Sequence, residues 1–213
     1  MNTWSHLFNS RRWILKFVLL WTICIVGLKL FSAFLIWNES RPGYIFHDVI
    51  LESFSAIDLS FAIALLTNIP IFGGILLMFR NPSDTVLMLC AVTFMCAVRS
   101  ATLFLVPLEP PSTLIPLDDS FLIHAFYGGT SLKRDLFFSG HTANLILAGL
   151  IQNNKKIRNL IYVCALAVGL MVILQHVHYV IDVLAAPFFA VLVHRISRFF
   201  SAKYFEGFSE GVA

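Results

Sequence analysis

Long apolar runs, separated by shorter polar connections, dominate the pattern of this chain. A helix that crosses the hydrocarbon core of a membrane needs about 20 largely apolar residues. Six runs approach this length, and each predicts a membrane-spanning helix. They cover approximately residues 13–37, 61–79, 85–106, 136–152, 159–174 and 179–193. The pattern therefore predicts an all-α, polytopic membrane protein with six transmembrane helices.

The connections between these runs differ in length and composition. Residues 38–60 hold four acids, and their middle, residues 44–54, is interpreted as a short amphipathic helix lying in the membrane interface. Residues 107–135 form the longest loop, which is rich in proline. No internal repeat or flexible linker divides the chain, so we expect a single domain over residues 1–213.

The basic residues predict the orientation of the helices. With six spans, both termini lie on one side of the membrane, and that side carries most of the Lys and Arg near the helix ends. These residues are Arg11, Arg12, Lys16, Arg80, Lys155, Lys156, Arg158, Arg195, Arg198 and Lys203. Cytoplasmic loops carry an excess of Lys and Arg, so both termini are predicted to be cytoplasmic. The fourth and sixth runs then begin at the non-cytoplasmic edge.

Composition supports a membrane protein and narrows its function. The chain is 58% hydrophobic and 13% charged, whereas a soluble domain is about half apolar and a quarter charged. A net charge of +3 does not indicate nucleic-acid binding. The cysteines all lie inside apolar runs and are interpreted as small buried hydrophobic residues, not as disulfides or metal ligands. They are Cys24, Cys90, Cys96 and Cys164.

Two histidines at the edges of apolar runs are the main candidates for chemistry. His178 and Asp182 are four residues apart, which places them on one face of a helix. A carboxylate beside an imidazole fixes its tautomer and makes the other ring nitrogen a better nucleophile or base. His141, at the beginning of the fourth run, is the candidate to donate a proton to a leaving oxygen.

Ser139 and Gly140 stand at the beginning of the same helix as His141. Backbone N–H groups at a helix N-terminus attract phosphate, and glycine lets a substrate approach the backbone closely. Ser139 is equally suited to cap the helix, and capping is compatible with phosphate binding. The set predicts phosphoryl or phosphodiester transfer through a phosphohistidine, with no metal or cofactor required.

Three further polar residues leave alternatives open. Arg99, inside the third run, is interpreted either as a phosphate-binding residue or as the partner of an acid or a carbonyl group, since a charge inside a span must be compensated. Asp135 is a possible accessory residue, but an acid in the first turn of a helix also complements the helix dipole. His176 is a second possible accessory residue, with an exposed histidine at the interface as the simpler interpretation.

Three segments resemble the signature segments of the sphingomyelin synthase family, which lies within the type 2 phosphatidic acid phosphatase (PAP2, lipid phosphate phosphatase) superfamily. They are Asp-Leu-Phe-Phe-Ser-Gly-His-Thr at 135–142, His-Tyr-Val-Ile-Asp-Val at 178–183, and the region from Arg99-Ser100-Ala101-Thr102 to Leu105-Val106-Pro107. The similarity covers approximately residues 85–195, the expected catalytic core.

The resemblance implies a PAP2-like helical bundle in which His178 is the nucleophile, Asp182 orients it, and His141 protonates the leaving group. It also implies transfer of a phosphocholine- or phosphoethanolamine-type headgroup. The donor would be a glycerophospholipid, and the acceptor would be ceramide, diacylglycerol or a similar lipid alcohol. No cofactor and no nucleic acid is implied, and the oligomeric state is left open.

The chain departs from the family pattern in two places. The Lys-x6-Arg-Pro motif that the wider superfamily uses to hold phosphate is absent before the fourth run, and Arg99, Lys133 or Arg134 would have to replace it. The loop before Gly128-Gly129 is short and lacks a Trp-Glu pair, with Asp118 or Asp119 standing nearby instead. Both departures concern the choice of headgroup.

Two other functions compete with a transferase. A lipid phosphatase or phospholipase C-like hydrolase would use the same residues with water as the acceptor. A non-catalytic transporter or scaffold is a more distant alternative, and the absence of paired broken helices in the pattern argues against it. For an enzyme, the active site is expected on the non-cytoplasmic face, periplasmic in a bacterium and luminal or extracellular in a eukaryote.

Overall fold

The computed structural model describes residues 4–117 and 132–205. Within these ranges the backbone is helical or irregular, and the β pairing found there is one isolated bridge between Tyr44 and Leu108. The expectations for Asp118, Asp119 and the Gly128-Gly129 pair lie outside the described residues.

The described helices follow the predicted apolar runs closely. In chain order they are α1 Trp4–Leu7, α2 Arg11–Asn38, α3 Ser60–Met78, α4 Pro82–Leu105, α5 Gly140–Ile151, α6 Lys155–Leu174 and α7 Val180–Phe205. In the described part of the chain, α2, α3, α4, α6 and α7 are long and apolar enough to cross a membrane. Five of the six predicted spans therefore have a matching helix.

The fourth predicted span forms a shorter helix than expected. Helix α5 has 12 residues, which gives it a length of about 18 Å, well below the thickness of a hydrocarbon core. Ser139 caps α5, so Leu136 and Phe138 precede the helix as irregular chain. Both side chains are buried, and Phe138 stacks on Phe189 with 4.3 Å between the ring centroids. Their apolar character thus reflects packing inside the protein.

The amphipathic helix predicted for residues 44–54 is wrong. The segment is irregular apart from a single 3-10 turn, Leu51–Ser53. The N–H of Tyr44 donates to the carbonyl of Pro107, and the N–H of Glu109 donates to the carbonyl of Tyr44. A backbone that bonds to a neighbouring segment in this way is not available for helical i to i−4 bonds.

Helix α4 lies at the centre of the bundle. It packs against α2 and α7, while α5 packs against α6 and α7, and α3 packs against α6. Half of the most apolar 18-residue stretch of α4 is buried inside the protein, compared with 11% of the corresponding stretch of α2. The cysteines at 24, 90, 96 and 164 are all free and buried, as predicted.

The connections gather at two opposite ends of the bundle. At one end, the indole N–H of Trp4 donates to the carbonyl of Phe79, and Asn153 donates to Asp84. At the other end, the Leu59 N–H donates to the Gln175 side chain. The loops that lie at each end are the ones that the six-span topology predicts on one side of the membrane. The second end, called the site end below, carries the candidate functional residues.

Candidate active site

His178 and Asp182 lie together at the beginning of α7. His178 is 2% exposed and its backbone N–H donates to the carbonyl of Val172. Its Nδ1 lies 3.5 Å from Oδ2 of the fully buried Asp182. The predicted proximity of the two side chains is therefore present, although His178 precedes the helix, which begins at Val180.

The Asp182 carboxylate also holds the beginning of α7. Its Oδ2 accepts the backbone N–H of Tyr179 at 3.0 Å, which is the reciprocal half of a capping box. Among the described residues, neither Asp182 Oδ1 nor His178 Nδ1 has a hydrogen-bond partner. A carboxylate fixed by its own helix and directed at an unpartnered imidazole nitrogen is well placed to orient that ring.

His141 lies opposite His178. It is the second residue of α5, and its ring centroid is 6.1 Å from that of His178, with an angle of 66° between the ring planes. The structure thus brings together the two histidines that the sequence analysis singled out.

Ser139 joins the two histidine-bearing segments. Its backbone N–H donates to the carbonyl of Asp182 at 3.0 Å. Its hydroxyl oxygen accepts the N–H of Thr142, which confirms the predicted N-cap of α5. Ser139 is fully buried. The beginnings of α5 and α7 are therefore fixed to each other by main-chain contact as well as by packing.

Arg99 is buried beneath the beginning of α5. It is 3% exposed, and its guanidinium donates to the Asp135 carboxylate and to the carbonyl of Phe138. A Cβ atom placed on Gly140 would lie 2.9 Å from Arg99 Cζ. The absence of a side chain at Gly140 thus makes room for the Arg99 guanidinium, whereas the sequence predicted that it makes room for substrate.

Asp135 is the partner of Arg99, and the helix-dipole interpretation of this acid is wrong. Helix α5 begins only at Gly140, so Asp135 is not in its first turn. Of the two interpretations of Arg99, the described contacts show pairing with an acid and a carbonyl group. Since a guanidinium carries five N–H donors, these contacts do not use all of its hydrogen-bonding capacity.

His176 is buried, so its interpretation as an exposed interfacial residue is wrong. It is 1% exposed, its Nδ1 pairs with the Thr113 hydroxyl, and its ring packs edge-on against Phe54 at 5.1 Å. Its φ of 57° lies in the left-handed region, which is uncommon for a non-glycine residue. Desolvation lowers the pKa of its imidazole, while Asp48 acts in the opposite direction.

Asp48 is a buried acid that the sequence analysis did not select. Its Oδ2 accepts the N–H of Val180 at 2.8 Å, and its Oδ1 accepts those of Ile50 and Leu51. Val180 is the first residue of α7, two positions after His178. Asp48 therefore satisfies an otherwise orphan donor at this helix end. No local motif marks such a partner, because the two residues are far apart in the chain.

Arg134 is held by acids and by main chain, which weakens it as a phosphate-binding substitute. Its guanidinium lies 2.8 Å from Glu109 and also bonds to the carbonyl of Glu39. The N–H of Gly43 and the side chain of Arg134 together lower the pKa of Glu109. Lys133 is exposed at the site end, and its proposed contact with phosphate stays a prediction.

Two apolar grooves flank this end of the bundle. One, with a volume of about 550 Å³, lies between α2 and α4 and includes Phe31 and Ser100. The other, of about 400 Å³, lies between α6 and α7 and includes Thr142 and Val183. Because their walls are apolar, both grooves suit hydrocarbon better than a polar ligand.

Fold and site together define an integral membrane protein with a polar centre at one end of its helices. In this centre Arg99, His178 and Asp182 are buried, whereas His141 and Asp135 are half-buried. Residues 134–199 match the family model described as PAP2 superfamily C-terminal. The match supports membership of the PAP2 superfamily and suggests a membrane enzyme of the lipid phosphatase or phosphotransferase type. A search among curated proteins finds no match.

The matched range includes three of the candidate residues, His141, His178 and Asp182. Arg99 lies before it, so its place at the site comes from the structure alone. The match does not distinguish a transferase from a hydrolase, and it does not identify the sphingomyelin synthase family within the superfamily.

Proposed function

We propose that the protein is a lipid phosphotransferase of the sphingomyelin synthase-like type. It moves a phosphocholine- or phosphoethanolamine-type headgroup from a glycerophospholipid to ceramide, diacylglycerol or a similar lipid alcohol. The observation that carries the proposal is the juxtaposition of His178, the buried Asp182 carboxylate and His141. The active centre is proposed to face the non-cytoplasmic side.

In the first step, Nε2 of His178 attacks the phosphorus atom of the donor lipid. The bond from phosphorus to the glycerol oxygen breaks, and a protonated His141 gives its proton to that oxygen, so that diacylglycerol leaves. Asp182 keeps the proton of His178 on Nδ1, which leaves the lone pair on Nε2 for attack. The product is a phosphohistidine that retains the headgroup.

In the second step, the hydroxyl group of the acceptor lipid attacks the same phosphorus atom. His141, now neutral, removes the hydroxyl proton as a general base, and the bond to His178 Nε2 breaks. Both histidines return to their starting protonation states. This double displacement requires no metal ion and no cofactor.

Arg99 and the beginning of α5 are proposed to stabilise the negative charge on phosphate. The backbone N–H groups of Ser139 and Thr142 are engaged, whereas those of Gly140 and His141 are in the first turn, where a helix leaves donors for an anion. Arg99 adds a positive charge beside Gly140, and Asp135 holds it there. His176 is proposed to position the turn that carries His178.

A hydrolase remains the second candidate, since the PAP2 match favours it equally. Water would then replace the acceptor alcohol in the second step, and the first step would be unchanged. A transporter or scaffold is the third candidate, and it predicts that the histidines are dispensable for function.

The test uses purified protein in mixed micelles with labelled phosphatidylcholine or phosphatidylethanolamine and a fluorescent ceramide or diacylglycerol. The wild type is compared with His178→Ala and with His47→Ala, a matched control because His47 is exposed at the site end. We expect headgroup on the fluorescent lipid in the wild type and in His47→Ala, and its loss in His178→Ala. Headgroup release without transfer would establish the hydrolase, and undiminished function in His178→Ala would overturn both enzymes.

A further inference from the structure

The groove between α6 and α7 begins directly at the catalytic segments. Thr142, which lines the groove from α5, accepts a hydrogen bond from the hydroxyl of Ser139 at 3.1 Å. Val183, which lines the groove from α7, follows Asp182 in the chain. At this point α6 approaches closely, since a Cβ atom on Gly169 would lie 3.1 Å from Val183. The groove is therefore continuous with the backbone that holds His141 and His178.

The groove opens sideways, towards the surface that faces lipid. Helices α6 and α7 contact each other much less than each contacts α5, so α5 forms the floor between two separated walls. The rim consists of exposed leucines: Leu166 is 68% exposed, Leu170 55% and Leu184 69%. A molecule in the surrounding leaflet can reach this opening without crossing the bundle.

The length of the groove corresponds to one leaflet. Its lining residues on α6 extend from Tyr162 to Ile173, which is about 16 Å at the rise of an α-helix. One half of a typical hydrocarbon core is about 15 Å thick. The groove thus descends from the depth of the histidines to the middle of the membrane, along the path of an acyl chain.

We propose that this groove binds one hydrocarbon chain of the substrate lipid while the headgroup phosphate lies at His178. The proposal rests on the lipid phosphotransferase or hydrolase function given above. A chain gains little free energy on moving from lipid into an apolar groove, because both surroundings are apolar. The groove therefore acts through shape: it fixes the phosphorus atom relative to His178 and selects for chain length.

Tryptophan substitutions on the rim test the selection for chain length. Leu170→Trp obstructs the groove nearer the histidines than Leu166→Trp, and both positions are exposed, so folding is expected to tolerate them. Val163→Trp is the matched control, because Val163 lies on the same helix, is 64% exposed and does not line the groove.

The readout is kcat/KM for donor lipids that share one headgroup and differ in chain length. We expect a decrease of about tenfold or more for long chains in both groove variants, and a smaller decrease for chains too short to reach the substituted position. The cutoff should fall at a shorter chain in Leu170→Trp than in Leu166→Trp. An unchanged chain-length profile, or an equal decrease in Val163→Trp, would overturn the proposal. Histidine-dependent turnover of short-chain donors would still uphold the proposed function.

A second measurement does not depend on turnover. Phospholipid with a photoactivatable group near the end of one chain is incorporated with the protein into lipid nanodiscs, and the crosslinked residues are mapped. We expect crosslinks concentrated at Ile146, Leu166 and Pro187, which lie deeper in the groove than the histidines, and few at Val163. Uniform labelling of the lipid-facing surface would indicate boundary lipid only, and protein–protein crosslinks across the rim would indicate a second copy. Either result would contradict the proposal.

Discussion

The two ends of the bundle are held together by different interactions. At the site end, irregular segments are joined by buried polar contacts such as Asp48 to Val180 and Arg99 to Asp135. At the opposite end, the α3–α4 and α5–α6 connections are short turns, and aromatic rings pack the N-terminal segment against α2 and the end of α3. These rings belong to Trp4, Phe8, Trp13, Phe17, Trp21 and Phe79.

This difference has a physical consequence. A buried polar group that loses its partner keeps its full desolvation cost, whereas exposed charges tolerate substitution better. We therefore expect substitutions at the site end to affect both stability and activity. Substitutions of exposed residues at the opposite end should affect neither strongly.

Arg99→Ala is expected to have the largest effect. It leaves the Asp135 carboxylate and the Phe138 carbonyl without their partner, which corresponds to a loss of about 3 kcal/mol for a buried pair. Turnover should fall as well as stability, since the beginning of α5 loses the positive charge of Arg99. Thermal unfolding in detergent and the headgroup-transfer assay measure the two effects.

Arg12→Ala is the control for that comparison, because Arg12 is an exposed cation at the opposite end. We expect a change within about 0.5 kcal/mol. Equal losses of stability in the two variants would show that the buried pair has no special importance.

Gly140→Ala tests the close approach of Arg99. The added Cβ would lie 2.9 Å from the guanidinium carbon, so the arginine must move, at a cost of about 1–2 kcal/mol. Activity should fall more than stability, because the displaced charge is the one proposed to stabilise the substrate phosphate. Gly73→Ala is the matched control, because its added Cβ would meet no neighbouring side chain or segment within 4 Å. Alanine also favours a helix over glycine by about 1 kcal/mol. A fully active Gly140→Ala variant would contradict the assigned role of Arg99.

Asp48→Asn tests whether a distant loop positions His178. The substitution keeps the shape of the side chain but weakens acceptance of the Val180 N–H, with an expected loss of about 1 kcal/mol, as for a helix cap. We expect kcat to fall several-fold with KM little changed. Asp58→Asn is the control, because Asp58 makes similar contacts to Ser60 at the exposed beginning of α3. A normal kcat in Asp48→Asn would show that the contact is structural only.

The smallest expected effect is a pH dependence of folding stability, which comes from the carboxylate of Glu109. The Gly43 N–H and Arg134 lower the pKa of this carboxyl, so its ionised form stabilises the folded state at every pH above the ordinary pKa of an unfolded glutamate. This contribution is lost as the pH falls through the lowered pKa. Glu109→Gln should therefore be less stable than the wild type at neutral pH, and the two should converge in acid. Parallel pH profiles in thermal unfolding would contradict the ion pair with Arg134.

Local features of the fold and site followed from the sequence. Hydropathy located five long helices to within a few residues, although α7 continues to Phe205, beyond the predicted end at residue 193. The N-cap at Ser139 and the proximity of His178 to Asp182 were also predicted. These features depend on residues only a few positions apart, and short-range geometry decides them.

Other features were predicted wrongly from the sequence, and the physical reason is the same for each. The apolar segment from Leu136 to Phe138 was assigned to a span, and His176 was placed at the surface. Hydropathy measures the preference to leave water, and it does not distinguish a lipid surface from a protein interior. Only the packing of Phe138 on Phe189, and of His176 on Phe54, separates the two environments.

By itself, the sequence determined the membrane class, the positions of the long helices and the histidine-bearing segments, because apolar length and local spacing are properties of short windows. Tertiary structure alone decided the pairing of Arg99 with Asp135, the support of α7 by Asp48, and the contact between Ser139 and Asp182. A buried polar group must find a partner, but chain connectivity does not limit where in the sequence that partner lies.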